Sequence, residues 1–201
     1  MRDCSHVRGT TVDEPEVGGP RGAVRSARWI DRAWLLVHLL PEGRPGWREP
    51  GFGPSHKKEL RALVRSGVVP GLIGYADDSP VGWISLGPRE DYRKLERSRI
   101  MKAVDDTPVW SIVCTYVAKV HRGKGYQHKL LAGAIDYARQ QSVRMLEAYP
   151  VDKPERSNDD FMFFGSRSLY ERAGFREVVR RSPTRLVMRR GLRPRRITKE
   201  A

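Results

Sequence analysis

Along the chain the spacing of apolar and polar positions changes several times, and each change marks a predicted element. Residues 1 to about 26 carry glycine, proline and charge without a hydrophobic period, which reads as a flexible leader. In RWIDRAWLLVHLLPEG the apolar positions Trp29, Ile30, Trp34, Leu35, Val37 and Leu40 suit a helix or a buried strand equally well. A loop dense in proline and glycine, RPGWREPGFGP, comes next. Ser55 then stands as an N-cap before HKKELRALVRSG, where Leu60, Leu63 and Val64 share a helical face and Gly67 ends the helix.

Two β-rich runs, Leu72 to Ala76 and Val81 to Leu86, flank DDSP, whose Asp, Ser and Pro supply turn chemistry, and together they predict a hairpin. REDYRKLERSRIMKAVDDTP reads as a polar helix with Leu95, Ile100 and Val104 on its apolar stripe, closed by Pro108. The stretch VWSIVCTYVAKVHRGKGYQHKLLAGAIDYARQQ, Val109 to Gln141, passes from a strand through a basic glycine turn into a helix. After it come a short strand VRMLEAYPVD, a loop, a compact helix SRSLYERAG, and two strands at FREVVRR and TRLVMRR. This alternation predicts an α+β fold, a sheet with helices on its faces, in a single domain over residues 27–190 with a basic tail at 191–201.

Composition supports a packed domain: 201 residues, 39% apolar, with five Trp, seven Tyr and five Phe. No run approaches the roughly 20 apolar residues of a membrane helix, and the leader lacks the apolar centre of a signal peptide. The expectation is a soluble cytoplasmic protein without a membrane partner. Of the two cysteines, Cys4 lies in the polar leader and Cys114 inside an apolar run, where a buried core thiol is expected. His6, His38, His56, His121 and His128 show no paired metal-ligand spacing, so no metal is expected. The formal charge of +14 concerns partners rather than fold. Much of it lies in arginine-rich terminal segments, which read as solvated. Helix-turn-helix, zinc-finger and interleaved aromatic–basic patterns are missing, so nucleic acid is the less favoured partner.

The turn within the Val109–Gln141 stretch carries the chemistry. A helix N-terminus offers unpaired N–H groups and the positive end of its dipole, and glycine before it lets backbone wrap an anion. Gly123 and Gly125 supply the glycines, and Arg122 and Lys124 the charge. A Walker-type loop fails here because Lys124 is followed by Gly125, and a dinucleotide fingerprint fails because His128 stands where its third glycine belongs. What remains is R-x-x-G-x-[GA], matched through Arg122 and Gly125, with Gln127 in place of the final small residue.

On these residues the stretch resembles motif A of the GNAT superfamily of N-acetyltransferases. SLYERAGF, Ser168 to Phe175, resembles that superfamily's downstream LYEKLGF signature. The resemblance implies a mixed, mostly antiparallel central sheet with helices on both faces, splayed between the fourth and fifth strands. It also implies acetyl-CoA as co-substrate and direct attack of an amine on its thioester. In that reading the backbone of Thr115, Tyr116 and Val117 binds the pantetheine and acetyl arm. Arg122, Gly123, Lys124, Gly125, Tyr126 and Gln127 hold the diphosphate, and Tyr170 protonates the departing sulfur. Glu147, a charge in an otherwise apolar strand, is the candidate base, with Asp105 and Asp106 behind it. The chain departs from the family pattern at Gln127 and at Phe163, where many members carry an asparagine that contacts the pantetheine. The acceptor is a small-molecule or protein amine, and a homodimer is an open option. The alternatives are a CoA-binding regulator without catalysis and a basic nucleic-acid-binding protein.

Overall fold

The computed structural model describes residues 10–11, 62–76, 79–153 and 163–193. Its strands are β1 (Thr10–Thr11), β2 (Leu72–Ala76), β3 (Ser79–Pro88), β4 (Trp110–Val117), β5 (Met145–Ala148), β6 (Arg176–Ser182) and β7 (Arg185–Gly191). The helices are α1 (Arg93–Arg97), α2 (Tyr126–Gln140) and α3 (Arg167–Arg172). One sheet runs in the order β1-β2-β3-β4-β5-β7-β6. Neighbouring strands are antiparallel except β4 and β5, which are parallel. A parallel pair needs a long crossover, and α2 provides it. The expected α+β architecture is therefore present, with a mostly antiparallel sheet.

Helices cover both faces. On one, Leu130, Leu131, Ala134, Ile135 and Ala138 of α2 and Leu169 and Tyr170 of α3 pack on Ile84, Leu86, Ile112, Leu146 and Met188. On the other, Tyr92 and Leu95, at the start of α1 and within it, pack with Val113, Tyr149 and Val187. Full burial of each leucine contributes about 1.5–3 kcal/mol, and the stripe on α2 spans the whole helix, so this face anchors the sheet.

Strand β4 carries two irregularities. Ser85 pairs with Cys114 but Leu86 pairs with Ile112, so Val113 is an extra residue, a bulge. Beyond it the alternation of side chains changes phase. Ile112 faces α2 and α3, and so does Thr115, which pairs with Ile84 of the same cluster. Without the bulge, residues three apart would face opposite sides. The second irregularity is a divergence: β4 and β5 pair only from Trp110↔Leu146 to Ile112↔Ala148, while β4 continues to Val117.

The segment Phe163–Ser166 lies in the gap so opened. Thr115 N–H donates to Phe163 O at 2.7 Å, Val151 N–H donates to Gly165 O at 2.9 Å, and Arg167 N–H donates to Val151 O at 3.0 Å. Val151 thereby bridges Ser166 in parallel and Arg185 antiparallel. Backbone from the approach to α3 is stitched to β4 on one side and to the continuation of β5 on the other.

The two runs pair antiparallel as expected, but β3 spans Ser79–Pro88, so Ser79 and Pro80, expected in the turn, belong to the strand. Residues 62–65 are helical, and Gly67 ends the helix at φ +84° with Val68 N–H bonded to Leu63 O. Ser55 and Leu60, the Trp29 to Leu40 run and the loop after it lie outside the described residues. The long helix expected from Arg89 to Val104 is instead a 3-10 turn at Arg89–Asp91 and the five-residue α1. Ser98 is extended, and its hydroxyl accepts from the N–H groups of Ile100 and Met101. Arg181, from β6, donates to the carbonyls of Ile100, Lys102 and Ala103, and Arg89 donates to that of Met101. These side chains satisfy backbone groups that a helix would have paired internally. Near the end of the described residues, β7 runs through Gly191 and Leu192 is buried.

Candidate active site

The glycine turn forms as the sequence suggests. β4 ends at Val117, a 3-10 turn spans Lys119–His121, and Gly125 caps α2 at φ 77°, ψ 2°, in the left-handed region. Gly123 is also left-handed, at φ +75°. A Cβ placed on either glycine would meet nothing within 4 Å, so the turn is an open backbone surface and its glycines are required by conformation alone. Among the described residues no side chain caps the first turn of α2, and no acidic residue lies in it. Its N–H groups and the dipole therefore face an opening bordered by Arg122 and by exposed Lys124.

The remaining residues of the turn brace one another. Arg122 Nε donates to Val117 O at 3.0 Å, and its guanidinium lies 5.9 Å from the Tyr116 ring centroid. Tyr126 stacks edge-on with His121, and Lys129 lies over its ring. Arg122 thus ties the end of β4 to the turn as well as contributing charge beside it. Gln127 is half-buried in the first turn of α2.

Of the three backbone positions expected to receive the cofactor arm, strand alternation turns Thr115 and Val117 toward the diverging edge. It turns Tyr116 into the β3 ladder, where Ala118 N–H bonds Val81 O. Tyr116 can therefore reach that edge only through its side chain. At the edge, Thr115 N–H is already donated to Phe163 O and Val117 O is held by Arg122.

Tyr170 of α3 is fully buried, and among the described residues its hydroxyl has no hydrogen-bond partner; the Thr115 hydroxyl is likewise buried without one. An unsatisfied buried hydroxyl costs about 1–3 kcal/mol, so two on one face of the β4 gap are unusual for a site with only a structural role. The two side chains meet at Gly165. Its added Cβ would lie 2.9 Å from Tyr170 Cε2 and 3.4 Å from Thr115 Cγ2, and its φ is +75°. Burial, and secondarily the nearby Cys114 thiol, push the Tyr170 phenol well up from its ordinary value. It stays protonated and is a donor with nothing to donate to. Cys114 is a free, buried thiol whose ionisation burial also pushes up, so it is inert as a nucleophile.

Glu147 is placed elsewhere. Its neighbours Leu146 and Ala148 face α2 and α3, so the Glu147 side chain points to the α1 face, opposite Tyr170. There it is fully buried, with Oε1 accepting from Tyr149 at 2.6 Å and Arg89 at 3.2 Å, and Oε2 accepting from Arg189 at 2.7 Å. Tyr149 also contacts Ser111 Oγ at 2.8 Å, and Arg189 reaches Asp105 at 2.7 Å. The carboxylate is the centre of a closed ionic cluster that ties β5 and β7 to the turn before α1. Both oxygens of this candidate base are engaged, and the sheet separates them from Tyr170. Asp105, a runner-up, is exposed, and Arg189 holds its carboxyl far below the usual range. The sequence could not have shown the cluster, since its arginines come from positions 58 and 42 residues away.

Sequence reasoning also missed Val113. A bulge leaves its extra residue outside the ladder and re-aims its neighbours, but VWSIVCTYV carries no glycine or proline to betray it. Phe164, next to Phe163, packs edge-on against Tyr149 with Arg185 over its ring. A cavity of about 290 Å³ opens at the opposite end of β4, by Trp110, Leu86 and Tyr92, away from the turn.

The residues present fit a nucleotide-linked thioester. An open, cationic helix N-terminus would take its diphosphate, and a strand edge with two unpartnered hydroxyls beside it would take the arm and its sulfur.

Known proteins agree with the fold. The chain matches the model of the acetyltransferase (GNAT) family over residues 36–175. No curated protein matches it in sequence. Among solved structures, a Pyrococcus horikoshii OT3 protein is 16% identical, with 94% of this chain and 99% of that one covered at a TM-score of 0.52. A Desulfovibrio desulfuricans protein described as a GNAT-family acetyltransferase is 17% identical, covering 92% and 98% at 0.50. An N-acetyltransferase from Staphylococcus aureus Mu50 is 13% identical, covering 84% and 94% at 0.50. At these identities the likeness is one of fold.

Proposed function

Since the chain belongs to the GNAT acetyltransferase family, we propose that it transfers the acetyl group of acetyl-CoA directly to an amine of a small molecule or protein. One observation carries this reading. The strand that ends in the glycine turn also bears the Thr115 hydroxyl, which is buried and unpartnered beside an equally unpartnered Tyr170.

Acetyl-CoA supplies an activated thioester, and the protein's contributions are binding, orientation and a proton. Gly123, Lys124 and Gly125, with the first N–H groups of α2, hold the diphosphate, and Arg122 fixes the turn to β4. Once free of Phe163, the edge at Thr115 and Val117 would align the arm, with the Val113 bulge re-aiming the strand at its inner end. Backbone N–H groups there would stabilise negative charge as it gathers on the carbonyl oxygen. Tyr170, kept neutral by its surroundings, gives its proton to the leaving sulfur. Glu147 is assigned a positioning role through its ionic cluster, and the acceptor amine loses its proton to solvent.

Calorimetry with acetyl-CoA, followed by thiol release across a panel of amines, tests the reading. Absence of binding at high micromolar acetyl-CoA would refute it. Binding without thiol release for any amine would favour a CoA-binding regulator.

A further inference from the structure

We propose that Phe163–Gly165 is an internal competitor for the cofactor arm, a wedge of backbone that must leave the β4 edge before the site can work. The inference rests on the acetyl-CoA reading and goes beyond it.

Three observations converge on these residues. First, the Phe163 carbonyl takes the N–H of Thr115, which strand alternation places on the diverging edge of β4. An extended amide arm running along that edge needs the same donor. Second, Gly165 lies against the Tyr170 ring so closely that even a Cβ would fall 2.9 Å from Cε2, and Tyr170 is fully buried beneath it. A sulfur cannot reach the phenol while Tyr170 stays fully buried, and Gly165 is part of what packs on its ring. Third, the wedge is held on its far side through two hydrogen bonds with Val151, from Val151 N–H to Gly165 O and from Arg167 N–H to Val151 O. One movement would therefore free the Thr115 amide and uncover the Tyr170 hydroxyl together. Gly165, at φ +75°, sits where glycine permits a large change of backbone angle.

The geometry also says which part of the ligand drives the change. The diphosphate turn at Gly123–Gly125 is open and shares no hydrogen bond with the wedge. The nucleotide end can dock first, and only the pantetheine arm contends with Phe163. Binding of the arm is then weakened by the fraction of time the wedge is closed, and a partner or acceptor that favoured the open form would raise cofactor affinity.

Amide hydrogen exchange on the full chain tests this, with the protein alone, with saturating acetyl-CoA, and with saturating 3′-phospho-ADP, the cofactor lacking its arm. The expected result is about tenfold faster exchange at the Val151 amide with acetyl-CoA, as its acceptor Gly165 O departs, and no change with 3′-phospho-ADP. Acetyl-CoA that binds by calorimetry while Val151 exchange stays unchanged or slows would overturn the wedge and leave the acetyl-CoA reading intact. No binding at all would overturn both. A second arm uses Val151→Pro, which deletes the donor to Gly165 O. Tighter acetyl-CoA binding at unaltered 3′-phospho-ADP affinity supports the proposal, and equal affinity for both ligands in variant and wild type contradicts it.

Discussion

Tyr149 donates a hydrogen bond to Glu147 at 2.6 Å while Arg189 holds the opposite carboxylate oxygen at 2.7 Å. The acid so enclosed joins β5 to β7 and, through Arg89, to the turn before α1. Removing one partner of a buried ion pair leaves charge without compensation. Glu147→Gln should therefore lower unfolding free energy by about 3 kcal/mol or more in urea titrations. The surviving folded enzyme should keep the pH–rate profile of the wild type. A fall in turnover per folded molecule of about 100-fold or more would restore Glu147 as the catalytic base.

Tyr170 should behave in the opposite way. Tyr170→Phe deletes a hydroxyl that is buried and unsatisfied, so thermal stability should hold or rise. Turnover in a thiol-release assay should fall by about 100-fold or more, the usual weight of a positioned acid. The Kd for acetyl-CoA should change little. A matched loss of affinity and turnover would mean that the hydroxyl binds rather than protonates.

Two glycines of the same helix separate conformational need from helix propensity. Gly125 is the left-handed cap of α2, whereas Gly133 sits within the helix, and neither would bring a Cβ within 4 Å of anything. Gly133→Ala should stabilise the protein by about 0.5–1 kcal/mol in chemical denaturation. Gly125→Ala should destabilise it by about 1–2 kcal/mol and weaken acetyl-CoA binding as the turn leaves its shape.

Acid should weaken the domain through Asp105 and Asp152. Asp105 is held down by hydrogen bonds from Arg189 and Thr107, and Asp152 by Arg180 first and Arg167 after it. Each folded-state value lies below the ordinary one near 3.8. Their contribution is thus present above that value and lost as pH falls through the folded-state values. Urea midpoints measured from about pH 5 down to pH 2 should decline less steeply in Asp105→Asn than in the wild type. Parallel declines would show that Asp105 is not linked to folding.

The local grammar of the chain determined a good deal. A glycine that must turn left-handed and an apolar stripe at helical spacing act through neighbours within a few residues. Gly67, Gly125 and the α2 stripe accordingly fall where the sequence placed them, and Ser166 opens the compact helix as its cap. The strand–turn–helix of the anion turn was legible for the same reason.

The faces of the sheet were settled only by tertiary structure. Val113 becomes a bulge because of how β4 registers against β3, and that shift turns Thr115 toward Tyr170. Glu147 and Tyr170 looked like partners in sequence, yet alternation along β5 and the packing of α3 put a sheet between them. The helix expected after Arg89 is shortened by Arg181, some 80 positions away, whose guanidinium claims the carbonyls a helix would have kept. The closure of the β4 edge by Phe163 follows from strand divergence, a property of the whole sheet's twist and of Val151 beyond it. Hydrogen-bond partners so distant leave no period or spacing in the chain.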